Sequence, residues 1–188
     1  MQHYLKEFGK WVEITGYRNI AFAKAEKFLK TSRKETKRIC DIQVFDADLI
    51  ATQDHLYFAV LNALQAFQNK TNISKSPAME TMLYASAQRQ IQKVIQRFGI
   101  KPETQNMAVI IIGENPAQIE NVLQTITMYV GLKPDEKVLE MSNVKEKKIE
   151  KTFQITDEEL KTIMKNGDRK EAVVNLVIEQ VALLATQL

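Results

Sequence analysis

The chain has few of the residues from which catalytic and metal sites are usually built. Its 188 residues include one cysteine, two histidines and six glycines. The single cysteine, Cys40, excludes an internal disulfide and predicts a protein of the reducing cytoplasm. The glycines stand apart from one another, which excludes a glycine-rich phosphate loop. Because no histidines, cysteines and carboxylates show the spacing of metal ligands, we expect neither a metal site nor a cofactor.

Sequence signals for membrane association are missing as well. No apolar run is long enough to cross a bilayer. The first ten residues, MQHYLKEFGK, lack the apolar core of a signal peptide. Hydrophobic residues make up 45% of the chain and charged residues 26%, which are values of an ordinary globular protein. We therefore expect one cytoplasmic domain over residues 1–188, without a membrane partner.

The few reactive side chains have structural explanations that compete with catalytic ones. His55 is predicted to open a buried helix, where it packs or helps to cap, and His3 is expected in a loose N-terminal segment. Cys40 fits a packed thiol. Asp46 and Asp48 alternate on a strand, so they could face one side as an acid–base pair, but the end of a strand and the start of a turn fit better. We predict no catalytic residues; an enzyme would need a site assembled from residues without a local signature.

Hydrophobic periodicity predicts both strands and helices. Trp11 to Ile14 and Ile42 to Phe45 favour strands, and the continuous apolar run from Met107 to Ile112 is typical of a central strand covered on both faces. A stripe from Leu56 to Phe67 predicts a largely buried helix, and another helix is predicted from Pro77 to Phe98. This pattern indicates an α+β fold with a single domain, in which a small mixed sheet packs with several helices.

Capping signals mark the ends of the predicted helices. The expected N-terminal signals are Thr52, Ser76 before Pro77, Asn115 before Pro116 with Gln118, and Thr156 with Glu159. The expected C-terminal signals are Gly99 and Gly131. Residues 135–151 are predicted as a short strand or coil followed by a short helix. The closing helical region is predicted to break near Asn166, Gly167 and Asp168.

Positive charge is grouped in two segments although the net charge is only +3. Between Arg18 and Arg38 there are eight basic and two acidic residues, and between Lys70 and Lys101 there are six basic residues and one acid, Glu80. Grouped positive charge attracts phosphate. An ordinary solvated lysine-rich surface is an equally good explanation for the first segment.

The second basic segment also carries groups that suit a single-stranded nucleic acid. On a continuous helix, Arg89, Lys93 and Gln96 would share one face because they are four and seven residues apart. Arg89 offers charge and a planar stacking surface, whereas Gln88 and Gln90 can read base edges. A further basic contribution comes from the preceding loop, with Lys70 and Lys75. The alternative is a solvated helix face without a ligand.

The last helix is more apolar than a surface helix of a monomer needs. On a wheel of 100° per residue, the apolar residues between Val173 and Leu188 spread over most of the circumference. Leu176 and Leu183 lie near one edge of the apolar arc beside Glu179, so we expect them to be exposed in the free protein. Either a partner protein covers this excess, or the helix is buried on nearly all sides within the domain.

Several runs of the chain form a recognisable order. They are IQVFDADLIA from Ile42, His55-Leu56 with Ala59, Ala63 and Ala66-Phe67, Ser76, Glu80, the runs LYAS from Leu83, QRQI from Gln88 and FGI from Phe98, and more weakly ITDEEL from Ile155 and EQVALL from Glu179. In this order they resemble the kinase-binding subunit family of the KEOPS complex, known in humans as the TP53RK-binding protein family. The run QRQI is similar to a signature of the archaeal branch. Together they cover most of the chain from Ile42 onwards.

The resemblance implies a subunit that is not itself a catalyst. KEOPS makes threonylcarbamoyl-adenosine beside the anticodon of tRNA, and this family docks on a small atypical kinase that acts as an ATPase and binds the catalytic tRNA threonylcarbamoyltransferase subunit. In archaea the family captures tRNA by its 3′ CCA end. The tRNA-binding residues expected here are Lys70, Lys75, Gln88, Arg89, Gln90 and Lys93, and the kinase-binding residues are Leu176, Glu179 and Leu183. The alternatives are a stand-alone enzyme or small-ligand-binding domain with a pocket beside the strand 107–112, and a scaffold without RNA contact.

Overall fold

An antiparallel sheet of four strands forms the centre of the fold. The computed structural model describes residues 2–36, 39–164 and 167–186, and it describes the side chains of all of these except residues 32–36. The strands are β1 (Gln2–Leu5), β2 (Lys10–Tyr17), β3 (Cys40–Asp46) and β4 (Met107–Gly113). Their order is β1-β2-β4-β3, and each neighbouring pair is antiparallel. The whole of β4 is buried, which confirms the prediction of a central strand.

Helices cover both faces of the sheet, so the predicted α+β class is confirmed. They are α1 (Phe22–Thr36), α2 (Gln53–Asn69), α3 (Pro77–Ala85), α4 (Ile91–Phe98), α5 (Pro116–Val130), α6 (Asn143–Phe153), α7 (Asp157–Ile163) and α8 (Arg169–Leu183). One face packs against α1 and α5 through residues such as Tyr17, Val44 and Ile111. The other face carries the larger core, which includes residues of α2, α3, α4, α6, α7 and α8.

The predicted N-cap residues are present in the structure. The hydroxyls of Thr52 and Ser76 accept hydrogen bonds from backbone amides in the first turns of α2 and α3. The side-chain carbonyl of Asn115 caps α5 through the amide of Ala117, so it does not form the capping box expected with Gln118. Thr156 and Glu159 form a reciprocal capping box at the start of α7. The break before α8 is also present, although Asn166 lies outside the described residues. These caps could be predicted from the sequence because each of them involves only a few neighbouring residues.

Sequence expectations about the sheet and the N-terminal segment are wrong. The sheet is not mixed: β2 and β3 run the same way, but β4 lies between them in the opposite direction. The N-terminal segment is not loose, since His3 lies in β1 and pairs with Val12 of β2. The centre of the His3 ring lies 5.2 Å from that of the Tyr57 ring. In residues 135–151 the predicted helix is present as α6, but the part before it, predicted as a short strand or coil, contains a 3₁₀ turn over Glu136–Leu139.

The reactive side chains take structural places. Cys40 is buried at the start of β3, and burial raises the pKa of its thiol. Asp46 ends β3, and its carboxylate accepts a hydrogen bond from the amide of Asp48 at 3.1 Å, which starts a turn. Within the described residues, every helix is too short or too polar to cross a membrane.

Candidate nucleic-acid interface

The connection between α3 and α4 interrupts the helix predicted from Pro77 to Phe98. The amide of Gln88 donates to the Leu83 carbonyl at 3.1 Å, and Ala87 takes a left-handed backbone conformation with φ of 49°. This pattern closes a helix end by satisfying its last carbonyls. The expected helix is therefore two helices. Lys93 lies on α4, whereas Gln88, Arg89 and Gln90 lie in the connection before it.

A buried histidine holds the end of α3 in place. His55, near the start of α2, accepts a hydrogen bond at Nδ1 from the amide of Ala51 at 3.1 Å. Its Nε2 lies 2.8 Å from the carbonyl oxygen of Ala85. Since Nδ1 accepts, Nε2 carries the proton and donates to that carbonyl. Burial lowers the pKa of His55 to about 4, which keeps this ring neutral. His55 thus packs, as predicted, and anchors the residue just before the α3–α4 connection.

Beside this connection lies a hollow of about 410 Å³ with a basic rim. Its lining comes from the connection, α4 and the residues that follow α4: Ser86, Gln88, Lys93, Val94, Gln96, Arg97, Phe98 and Lys101. Val94 and Phe98 are buried and form an apolar base. The exposed side chains around it are cationic or amide groups. The combination suits a ligand that has both negative charge and flat, hydrogen-bonding rings.

Only part of the predicted tRNA-binding set lies together. Gln88 and Lys93 line the hollow, and Gln90 is the exposed N-cap residue of α4. Arg89 is half-buried, and its charge acts on the phenol of Tyr84, whose pKa is raised mainly by burial. The stacking role expected for Arg89 is constrained, because the residue is only partly exposed.

Lys70 and Lys75 lie at the other end of α3. They belong to the loop between α2 and α3, and both are exposed. The buried carboxylate of Glu80 accepts hydrogen bonds from the amides of Ile73 and Ser74, at 3.1 and 2.7 Å, which fixes this loop. Nine residues of α3 separate the two groups, a length of about 13 Å. Lys70 and Lys75 therefore form a separate basic point rather than part of the hollow.

Two basic residues of the hollow were missing from the predicted set. Arg97 donates from a guanidinium nitrogen to the Thr152 carbonyl of α6 at 2.9 Å, and Lys101 follows α4. The prediction treated residues 77–98 as one straight helix and compared helix faces alone. The hollow is lined by residues before, within and after α4, so a comparison of the faces of one helix could not identify it.

The predicted kinase-binding residues divide into exposed and buried ones. Glu179 is exposed on α8, and Leu183 is 47% exposed. Leu176 is only 7% exposed and belongs to the main core, so its predicted exposure is wrong. The wheel placed it at the edge of the apolar arc, but α8 packs against α2, α3, α6 and α7, which covers that edge.

The fold and its hollow define an α+β protein with a basic surface beside the connection between α3 and α4. In the described part of the chain, no three histidine, cysteine, aspartate or glutamate side chains lie together as metal ligands. A model of the family Kinase binding protein CGI-121 matches residues 17–185. The chain belongs to this family.

A curated relative gives the same result. The chain is 34% identical over 113 residues to the Regulatory protein Cgi121 of Methanocaldococcus jannaschii. The match covers 60% of this chain and 70% of that protein. The resemblance seen in the sequence to the kinase-binding subunit family is confirmed.

Proposed function

We propose that this chain is a non-catalytic subunit of a KEOPS-type complex. It binds a small atypical kinase that acts as an ATPase, and through the kinase it joins the catalytic tRNA threonylcarbamoyltransferase subunit. It recruits tRNA by the single-stranded 3′ CCA end. Membership of a family described as kinase-binding supports the kinase contact. The protein works in the cytoplasm, where tRNA is modified.

The basic hollow is the observation that carries the tRNA role. Lys93, Arg97 and Lys101 place three cations around its rim, and Gln88 and Gln96 add amide donors and acceptors. Cations neutralise backbone phosphates, and amides bond the edges of unpaired bases. A single-stranded end fits this arrangement because its bases are not paired.

The remaining predicted residues extend the contact along the RNA. Gln90 stands next to the hollow at the start of α4, and Arg89 contributes charge from its half-buried position. Lys70 and Lys75 are a second basic point at the other end of α3, a helix about 13 Å long. In this proposal they contact phosphates of the same RNA beyond the nucleotides held in the hollow.

The test is binding of tRNA by the purified chain. Intact tRNA should bind with an affinity that falls as salt rises, and tRNA trimmed of its CCA end should bind at least tenfold more weakly. The chain alone should show neither ATPase nor transferase activity. Equal binding of intact and trimmed tRNA would contradict capture through the 3′ end.

A pull-down from the native cell tests the protein partners. Recovery of a small kinase together with the tRNA-modifying subunit is the expected result. A hollow of about 410 Å³ is also of the size that holds small molecules. Turnover or tight small-molecule binding by the chain alone, without tRNA binding, would favour a stand-alone enzyme or ligand-binding domain instead.

A further inference from the structure

The last turn of α6 contacts two residues that line the basic hollow. The Thr152 carbonyl accepts a hydrogen bond at 2.9 Å from a guanidinium nitrogen of Arg97, an exposed cation of the rim. The next residue, Phe153, is buried, and the centre of its ring lies 6.0 Å from that of Phe98, which belongs to the apolar base. One helix end therefore contacts both the rim and the base of the hollow.

This turn uses hydrogen-bond donors from outside its own helix. The last carbonyls of an α-helix have no partner within the helix. In α6 the Thr152 carbonyl accepts from Arg97, and the Phe153 carbonyl accepts a hydrogen bond from the side-chain amide of Gln180 at 3.0 Å. Arg97 lies on α4 and Gln180 on α8, so two different helices hold neighbouring carbonyls of the same turn.

The residue that ends α6 has an unfavourable backbone conformation. Gln154 is left-handed, with φ of 56°. Glycine adopts this conformation readily, whereas a residue with a Cβ atom is disfavoured there. The chain after Phe153 therefore does not by itself favour the observed end of the helix. The hydrogen bond from Gln180 to the Phe153 carbonyl compensates by holding this end in place.

We propose that Gln180 is a positioning residue for the RNA site, because it holds the turn of α6 that orients the guanidinium of Arg97 at the rim of the hollow. A guanidinium presents its N–H donors in one plane, so a bond to the Thr152 carbonyl sets the direction of the remaining donors. Gln180 is not among the residues that line the hollow, and it acts on RNA through α6 and Arg97. This inference rests on the proposed RNA binding and makes the affinity of the hollow depend on α8.

The first test removes the donor and keeps the length of the side chain. Gln180→Met cannot donate to the Phe153 carbonyl. It should weaken binding of intact tRNA about fivefold, which is the change that one neutral hydrogen bond makes to an equilibrium constant. Asn115→Ala is the control, because it removes a hydrogen bond that caps α5, on the other face of the sheet. Its tRNA affinity should equal that of the wild type.

A double-mutant cycle tests whether Gln180 acts through Arg97. Arg97→Ala should weaken tRNA binding about tenfold, since a hydrogen bond from a charged group has at least that effect. Adding Gln180→Met to this variant should change the affinity by less than about twofold, because the guanidinium that Gln180 helps to position is gone. A further fivefold loss in the double variant, which is the additive result, would overturn the inference.

Gln154→Gly provides a rescue that tests the role of the turn. Glycine suits the left-handed position, so this substitution should restore most of the affinity that Gln180→Met loses. It should not restore the affinity of Arg97→Ala, which has no guanidinium to orient. If Gln154→Gly restores nothing to Gln180→Met, Gln180 does not act through this turn and the inference is wrong.

The outcomes separate this inference from the proposed function. Wild-type protein that binds no tRNA would overturn both. If the wild type binds tRNA and Lys93→Glu weakens that binding, but Gln180→Met binds like the wild type, this inference alone is overturned. All affinities should be measured well below the unfolding temperature of each variant. A lower unfolding temperature of Gln180→Met with unchanged affinity would give Gln180 a structural role only, which also overturns the inference.

Discussion

The Nε2 atom of His55 donates a hydrogen bond to the carbonyl oxygen of Ala85 over 2.8 Å, 30 residues further along the chain. This bond joins the first turn of α2 to the last residue of α3. The next residue, Ser86, already lines the basic hollow. A neutral imidazole in the core therefore holds the surface segment from which the candidate RNA site begins.

The first prediction concerns acid. The folded-state pKa of His55 is about 4, below its value of about 6.5 in an unfolded chain. The unfolded state therefore takes up a proton first as pH falls, so stability is fully present above about pH 6.5 and is lost progressively towards pH 4. Between about pH 7.5 and 5 the loss should be about 2 kcal/mol. Urea unfolding at a series of pH values measures it.

His55→Gln is the control for this pH dependence. The glutamine amide can still donate to the Ala85 carbonyl but does not titrate. The variant should start from a lower stability and show a flatter profile between pH 7.5 and 5. A profile as steep as that of the wild type would assign the acid sensitivity to other groups.

The parts of the fold that depend on neighbouring residues were predictable from the sequence. Thr52, Ser76 and Thr156 each cap a helix through the amide three residues further along, so the sequence pattern contains the whole interaction. The apolar run of β4 is similar, because burial on both faces leaves no polar position in it. These features need no knowledge of the tertiary structure.

The candidate site depended on features that the sequence does not display locally. The break after Ala85 contains neither glycine nor proline, and Ala87 takes a left-handed conformation that alanine adopts rarely. The hydrogen bond from His55 comes from another helix. The hollow also receives Arg97, which is tied to α6 through Thr152. The helix break, the His55 hydrogen bond and the position of Arg97 all depend on packing between distant parts of the chain. The charge pattern of the sequence therefore identified Lys93 but did not predict the shape of the site.

The second prediction concerns the hollow. Lys93→Glu should weaken tRNA binding at least tenfold and flatten its salt dependence, because a cation near the phosphates is replaced by an anion. The unfolding temperature should change little, since Lys93 is exposed on α4. Lys161→Glu is the control, because it makes the same change of charge on α7, outside the hollow. Equal losses in both variants would indicate a general effect of net charge.

The third prediction concerns the capping box of α7. The Thr156 hydroxyl accepts a hydrogen bond from the Glu159 amide at 3.2 Å, and the Glu159 carboxylate accepts one from the Thr156 amide at 2.7 Å. Thr156→Ala should lower the free energy of unfolding by about 1 kcal/mol. Thr156→Ser keeps the cap and should stay near the wild type. Chemical denaturation measures the difference, and tRNA binding should be unchanged in both variants.

The last prediction concerns the partner surface of α8. Glu179 and Leu183 are exposed there, whereas Leu176 is in the core. Leu183→Glu puts a charge on the exposed face, so it should break binding of the small kinase while the protein stays folded and still binds tRNA. The kinase should be supplied as a purified protein, and its affinity measured directly.

Leu176 gives the contrast that makes this prediction specific. Leu176→Glu buries an unpaired carboxylate among the residues of the main core, so it should unfold the protein or lower its unfolding temperature severely. Loss of kinase binding in that variant would carry no information about an interface. Leu183→Gln, which is polar but uncharged, should weaken kinase binding less than Leu183→Glu does. If Leu183→Glu folds and binds the kinase as the wild type does, the kinase docks elsewhere than on this face of α8.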